Sequence, residues 1–370
     1  MQNDCGVGHN AKFMNRLKRI ILIISVAVNL LLIAAMLLCA YSAYLPSQDY
    51  PHLSYLGLMF PIFLIANICA VPFWLVFRWK FGAIPLVGLL LCAGSIRTYA
   101  PINFYSAPPE DSYKIVSYNV MSFGKLDIND WENNPILQYL LDSNADIICL
   151  QEAQKSFIDR ALPKIQEVYP HYIVELLPDS YIACFSKYPF ASTVQIEYPS
   201  VNNASFAYEI LMGKDTLILI NNHLESYKLA AEDRENYKSI IENYKSPAQN
   251  HSKSKYIHLT EKLAHGDSIR GIQVDSVAAY IARHKDRHIL ACGDFNSSPI
   301  SYTHHKMTDN LYDAFVNNGN GLGISYNRSG MYFRIDHIFA SPNVKTYGTK
   351  IDDSLLDSDH YPIVSHFTLE

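Results

Sequence analysis

Charge is absent from two long stretches near the start of the chain, and this constrains the fold more than any other feature. Residues 20–48 contain no Lys, Arg, Asp or Glu, and neither do residues 50–77. A third, shorter charge-free run covers residues 81–96. A helix that crosses a bilayer needs roughly 20 predominantly apolar residues. The first two runs meet that length. The third meets it if Arg97 extends its charged head to the interface. The expectation is therefore an anchor over residues 1–104 with three membrane helices, at about 18–42, 54–77 and 81–100. A cleaved signal peptide does not fit the first run, because signal cores are roughly 7–15 residues long and no small-x-small cleavage site ends this run early.

The basic residues orient such an anchor. Lys12, Arg16, Lys18 and Arg19 precede the first run, and Arg78 and Lys80 lie between the second and third. The loop between the first two runs has only Asp49. Positive residues are retained on the cytoplasmic side. Three crossings then place everything after about residue 105 outside the cytoplasm, on a multi-pass protein of the cell membrane. The seven cysteines form no CxxC pair. Those in strand-like runs (Cys149, Cys184 and Cys292) read as small hydrophobes.

Pro and charge in "YSAPPED", residues 105–111, mark a linker. Residues 112–370 read as one further domain. Its runs of Ile, Val, Tyr and Phe, such as "YKIVSYNV", "ADIICLQE", "DTLILINNHL" and "RHILACGDFN", are bounded by turn residues and read as strands. Helical candidates cover 131–142, 156–167, 228–243 and 268–285. The mixture suggests an α/β (α+β) domain of two sheets packed face to face, with helices outside. Residues 226–267 are polar and read as a helix plus a solvated loop. Their place beside His223 makes them a candidate determinant of substrate choice.

The apolar strands end in a repeated way. Asn119 ends "KIVSYN" and Glu152 ends "DIICLQE". Asn222 and His223 end "LILINNH", and Asp294 and Asn296 end "ILACGDFN". Asp336 and His337 interrupt "FRIDHIFA", and Asp359 and His360 precede "YPIVSHF". One such residue is ordinarily a cap or a turn. Six strand ends with Asp, Glu, Asn or His point to a site. Carboxylate and amide oxygens are the hard ligands that Mg²⁺ takes, often only one or two per ion. A neighbouring carboxylate can accept a proton from water, and a His can supply charge to a transition state. A GxxxxGK[ST] loop and a GxSxG elbow are both missing from the sequence.

The stretches "VSYNV", "ICLQE", "FSKYP", "NNHLES", "GDFN", "RIDHI" and "SDHYP" occur in this order between residues 116 and 362. In this the chain resembles the endonuclease/exonuclease/phosphatase superfamily over roughly residues 112–370. The resemblance implies a DNase I-like four-layer sandwich and a divalent-metal-dependent hydrolase of phosphoesters. It implies that Asn119, Glu152 and Asp359 lie on the metal side, with Glu152 the direct ligand of Mg²⁺ (or Mn²⁺). His223 would contact the scissile phosphate. Asp294 would orient or deprotonate the attacking water, and Asn296 would hold it. His360 would contact the phosphate, with Asp336 fixing its ring. Arg270 and Gln273 match an Arg-x-x-Gln that braces the following helix. Asn222 departs from the family's usual Thr, and the 226–267 segment is longer than usual.

Substrate class is less constrained. Of 30 basic and 35 acidic residues, seven and two lie before residue 110, which leaves the remainder at a net −10. Non-specific DNA binding rests on Lys and Arg neutralising phosphates, so no stable nucleic-acid partner is expected. An anchor places the site near lipid headgroups. The expected substrate is a small or lipid phosphoester, and the expected partners are that substrate and the lipid bilayer. A membrane-tethered nuclease and a non-catalytic binding module are the alternatives.

Overall fold

The computed structural model describes residues 4–124, 128–178, 180–229, 233 and 251–370, except 329 and 330. The chain divides into two compact units. One comprises residues 1–41 and 56–96, the other residues 42–55 and 97–370. The anchor expected over 1–104 therefore gives up two stretches: the loop after the first helix and the chain from Arg97 onward both fold with the second unit.

In the first unit one helix runs Asp4–Tyr41, a second runs Phe60–Arg78, and a third runs Ala83–Leu91. Arg78 takes an extended backbone (φ −159°, ψ 78°), and a single turn at Trp79–Gly82 leads into the third helix. Gly88 lets that helix approach the first, since a Cβ there would stand 2.7 Å from Ile33. Trp74 donates to Asn29 Oδ1 at 2.9 Å, and Asn67 donates to Leu32 O at 3.1 Å. Such side-chain bonds are the usual polar glue between apolar helices.

Two stretches, Phe13–Tyr44 and Pro51–Leu91, are long and apolar enough to cross a membrane, and only 17% and 22% of their apolar windows is buried. The core helix of a soluble protein would be mostly covered. Two candidate stretches are found where three separate spans were expected. The expected second and third spans fall in one stretch, and the third breaks at Cys92 into Ala83–Leu91 and Ala93–Tyr99, of nine and seven residues. Gly88 and Gly94 flank the break, and Gly lowers helix propensity by roughly 1 kcal/mol relative to Ala.

In the second unit two six-stranded mixed sheets face each other, as expected. The first has the order β13-β14-β1-β2-β4-β3 and the second β5-β6-β7-β8-β12-β9. In the first sheet these are β1 Tyr113–Asn119, β2 Ile147–Ala153, β3 His171–Leu176, β4 Tyr181–Ser186, β13 Val344–Ile351 and β14 Ile363–Leu369. The second comprises β5 Phe190–Gln195, β6 Ala204–Met212, β7 Asp215–His223, β8 His288–Asp294, β9 Tyr312–Asp313 and β12 Asp336–Ala340. A short hairpin, β10 Tyr326–Arg328 with β11 Met331–Phe333, stands apart.

Strand alternation sorts the core into three layers. Ile115, Ile147, Cys149, Leu219, Leu290, Cys292 and Ile338 fill the space between the sheets. Val116, Tyr118, Ile148 and Leu150 face the helices Pro135–Asp142 and Lys155–Gln166. Ile218, Ile220, Ile289, Ala291 and Phe339 face the helix His251–Arg283. That last helix begins well before the expected residue 268. The helix expected over 228–243 lies almost wholly outside the described residues.

Candidate active site

The same alternation builds the site. Asn119 lies four residues beyond Ile115, Asn221 and His223 two and four beyond Leu219, and Asp294 two beyond Cys292. Asp336 precedes Ile338 by two. All share the inter-sheet face of their strands, so the strand ends bring them together at one end of the cleft. Glu152 is placed by an irregularity. Its backbone is left-handed (φ 50°), and the pairing of β2 with β4 shifts between Leu150 and Ala153. A bulge of this kind re-aims a side chain. The Glu152 carboxylate emerges 41% exposed, beside the cleft.

Asp294 is central. Asn119 Nδ2 donates to Asp294 Oδ2 at 3.0 Å and to Glu152 Oε1 at 3.2 Å. Asn296 has a left-handed backbone (φ 49°), and its N–H donates to Asp294 Oδ1 at 2.8 Å. Asp336 pairs directly across the ladder with Asp294. His360 Nδ1 lies 2.8 Å from Asp336 Oδ2, and its Nε2 lies 3.6 Å from Asp294 Oδ2. His223 Nε2 lies 3.7 Å from Glu152 Oε1, and its buried Nδ1 has no hydrogen-bond partner. Asp359 is half-buried, and its backbone carbonyl accepts from Asn327 N–H at 3.0 Å.

The charges are set by burial and proximity. Burial raises the Asp294 carboxyl above the usual range, with Asp336 adding to the rise and His360 opposing it. Burial alone would lower His360, but the carboxylates of Asp336 and Asp294 overcome it and raise the imidazole to about 10. His360 is thus an imidazolium at neutral pH, beside a carboxylate of raised basicity.

Residues 116–360 match the family model described as the endonuclease/exonuclease/phosphatase family. The chain belongs to this family. Residues 18–99 match a second model, a domain of unknown function. A comparison with curated proteins finds no match. Among solved structures, the human Nocturnin catalytic domain with bound sulfate is similar at 14% identity and a TM-score of 0.51, over 71% of this chain and 97% of that one. A humanized D. rerio TDP2 is similar at 15% identity and a TM-score of 0.49, over 70% and 99%. A family protein from Leptotrichia buccalis is similar at 14% and 0.48, over 70% and 100%. The Nocturnin likeness shows the shared fold.

The donors of this family member suit the divalent metal that family enzymes use. Glu152 offers a carboxylate at the cleft mouth, and the groups around it are the carboxylates of Asp294 and Asp336, the amide of Asn119 and the imidazoles of His223 and His360. Asn119 presents its amide nitrogen to both carboxylates, while its Oδ1 accepts from Met121 N–H at 3.2 Å. In this arrangement Asn119 positions Glu152 and Asp294. Arg270 and Gln273 lie outside the cleft and hold the chain just after His223: Arg270 Nη1 donates to Glu225 O at 2.5 Å, and Glu225 N–H donates to Gln273 Oε1 at 2.8 Å. Asn222 points to the opposite face, accepting from Ser205 Oγ at 2.7 Å and donating to Cys292 O at 3.0 Å.

Several contributors lay beyond the sequence reading. Ser358 Oγ donates to Asn119 O at 2.8 Å and accepts from His360 N–H at 3.2 Å, tying β1 to the His360 loop. Gln151 donates to Asn221 Oδ1 at 2.6 Å, linking the two sheets beneath the site. The Tyr326 ring stands edge-on to His360 at 5.1 Å. The "SDHYP" spacing could have flagged Ser358; the other two follow only from the meeting of distant strands.

Proposed function

We propose that this protein is a membrane-anchored, divalent-metal-dependent phosphoesterase that hydrolyses a small or lipid phosphoester. The observation that carries the reading is the convergence of Asp294, Asp336 and His360 at one end of the cleft, with His360 Nδ1 2.8 Å from Asp336 Oδ2 and Nε2 3.6 Å from Asp294 Oδ2, next to the Glu152 carboxylate that shares Asn119 with Asp294. Mg²⁺ or Mn²⁺ held through Glu152, with Asp359 on its side of the site, would polarise the phosphoryl group and steady the leaving oxygen. Asp294 takes a proton from water as the water oxygen bonds to phosphorus. Asn296 orients that water. The ester P–O bond breaks, and His360 and His223 stabilise the charge that builds on the phosphoryl oxygens.

Two facts support the lipid-proximal setting: the two apolar stretches at the N-terminus, and the inclusion of residues 42–55 in the same unit as the site. A tethered nuclease is the second reading, supported by the breadth of the family itself, and a net −10 beyond residue 109 argues against it. The test is the full-length protein in detergent micelles, assayed with Mg²⁺ against phospholipids, sphingomyelin, inositol phosphates, nucleotides, RNA and plasmid DNA. Turnover of a lipid or small phosphoester that stops on chelation and returns with Mg²⁺ or Mn²⁺ is expected. Turnover of DNA or RNA alone would favour the nuclease. Activity that persists through exhaustive chelation would remove the metal from the reading.

A further inference from the structure

A second group of ligating side chains lies on the other face of β12, away from the cleft. His304 comes from the helix Tyr302–Met307, Asp313 from edge strand β9, and His337 from β12. All three are at least 95% buried. His304 Nε2 lies 2.8 Å from Asp313 Oδ2, and His337 Nδ1 lies 3.5 Å from the same oxygen. One ligand atom from each residue lies within 4.8 Å of the others. The proposed phosphoesterase chemistry uses none of them.

The hydrogen bonds around the group leave one valence open. Asp313 Oδ1 is occupied, since it accepts from Phe315 N–H at 2.7 Å and Val316 N–H at 3.1 Å. Its Oδ2 faces both histidines and shares a 2.8 Å hydrogen bond with His304 Nε2. His337 Nε2 lies 3.0 Å from Ser297 O. A carbonyl only accepts, so Nε2 holds the proton of the ring. In the neutral ring Nδ1 is then a lone pair. It has no hydrogen-bond partner and faces a carboxylate oxygen in the interior. Two lone pairs confront each other unless a proton or a cation lies between them. A proton there would make a charge-assisted bond of roughly 2.7–2.9 Å, shorter than the separation seen. Two ligands of one tetrahedral zinc, each at about 2.0–2.1 Å, stand roughly 3.3 Å apart.

We propose that His304 Nε2, Asp313 Oδ2 and His337 Nδ1 form a structural metal site of the zinc class, separate from the catalytic metal. The donor set is two imidazoles and one carboxylate, which suits Zn²⁺ and is softer than the oxygen set that Mg²⁺ prefers. His304 would bind through Nε2, the ion taking the place of the 2.8 Å hydrogen bond to Asp313 Oδ2. The His337 Nε2–H bond to a backbone carbonyl is the outer support that metal-bound histidines ordinarily have. An apolar wall surrounds the group: the Phe339 ring lies 5.3 Å from His304 and 5.6 Å from His337, and the Phe295 ring lies 5.7 Å from His337. Arg334 directs its two terminal nitrogens to Leu322 O at 3.0 Å and to Thr98 O. The ion would pin the Tyr302–Met307 helix and edge strand β9 to β12, whose first residue is the Asp336 that fixes His360.

The experiment measures metal, not turnover. Full-length protein in detergent is stripped with a chelator, incubated with Zn²⁺ in excess Mg²⁺, desalted, and analysed for metal content. About one zinc per chain is expected to remain. Glu152→Ala should keep it, because that change touches only the catalytic metal. His304→Ala and His337→Gln should each lose it. Co²⁺ in place of zinc should give the visible d–d absorption of a tetrahedral site. Wild-type protein that retains no zinc and gives no such band overturns the proposal whatever the variants do. Zinc lost equally from Glu152→Ala also overturns it, by placing the ion in the catalytic cleft.

Discussion

At the scale of single residues, the Asp294–His360 pair makes a two-sided pH prediction. Asp294 must be ionised to take a proton, so activity should fall as pH drops through its raised pKa. His360 must be protonated, so activity should fall again as pH rises through about 10. The stability contribution of His360 has the same alkaline sign. Its folded pKa lies above the unfolded value of about 6.5, so the contribution is complete below that value and is lost between there and about pH 10. Asp294→Asn should cost at least about 100-fold in kcat with the circular dichroism spectrum unchanged. Asp336→Asn should lose less, but it removes the first of the carboxylates that raise His360 and should move the alkaline limb to lower pH. An alkaline limb that stays in place would show that Asp336 does not hold the His360 proton. Asn119, His223, Asp294 and Asp336 were legible in the sequence because each stands at one end of an apolar run, where the strand period fixes the face it takes, whereas the direction of Glu152 depends on a bulge. Gln151 was not legible, because its role is a contact to Asn221, far away along the chain.

Elements show a similar division. The central strands β1, β2, β7 and β8 were readable as apolar runs because both faces are buried. The edge strands β5 and β13 carry polar, half-exposed sequences, "FASTVQ" and "VKTYGTKI", which have no such pattern. They are strands because a neighbour offers a ladder, a condition invisible to local pattern. The join of β7 and β8 depends on one glycine. Gly293 has φ +130°, and a Cβ there would lie 2.0 Å from Asn222 O. Gly293→Ala should therefore destabilise by at least about 3 kcal/mol, read as a lower unfolding midpoint in denaturant. Asp267 has a comparable place on the His251–Arg283 helix. It accepts from Tyr227 OH at 2.9 Å and Ser54 Oγ at 2.8 Å, and it pairs with the fully buried Arg270. Asp267→Ala strands that guanidinium, and the expected loss is about 3–5 kcal/mol. An unchanged midpoint in Asp267→Ala would show that Arg270 finds another anion.

For the whole molecule, the decisive fact is that residues 42–55 belong to the same unit as the catalytic cleft. Ser47 Oγ donates to Asp267 O at 2.7 Å, and Gln48 Nε2 donates to Asp275 Oδ2 at 2.8 Å. Gly271 makes room for them, since a Cβ there would meet Gln48 Oε1 at 2.3 Å. The chain leaves this unit at Tyr55 and rejoins it at Arg97. Whatever residues 56–96 do in a bilayer, they must therefore return to the side from which they started. On a membrane anchor the loop and the cleft are therefore expected on one side, irrespective of whether the short helices at Ala83–Leu91 and Ala93–Tyr99 cross fully. Charge then selects the side: four basic residues precede the first apolar stretch, Arg78 and Lys80 sit at the far turn, and the 42–55 loop has none. The cleft is thus expected outside the cytoplasm. In a bacterial host, a periplasm-only reporter fused after Glu370 should be active, and a Tyr50→Cys variant should react with a membrane-impermeant thiol reagent in intact spheroplasts. An active fusion combined with a Tyr50→Cys thiol that reacts only after permeabilisation would separate the loop from the cleft and overturn the shared side. If both signals appear only with cytoplasmic reporters and permeabilised cells, the shared side stands, the orientation is reversed, and the substrate must be sought inside the cell.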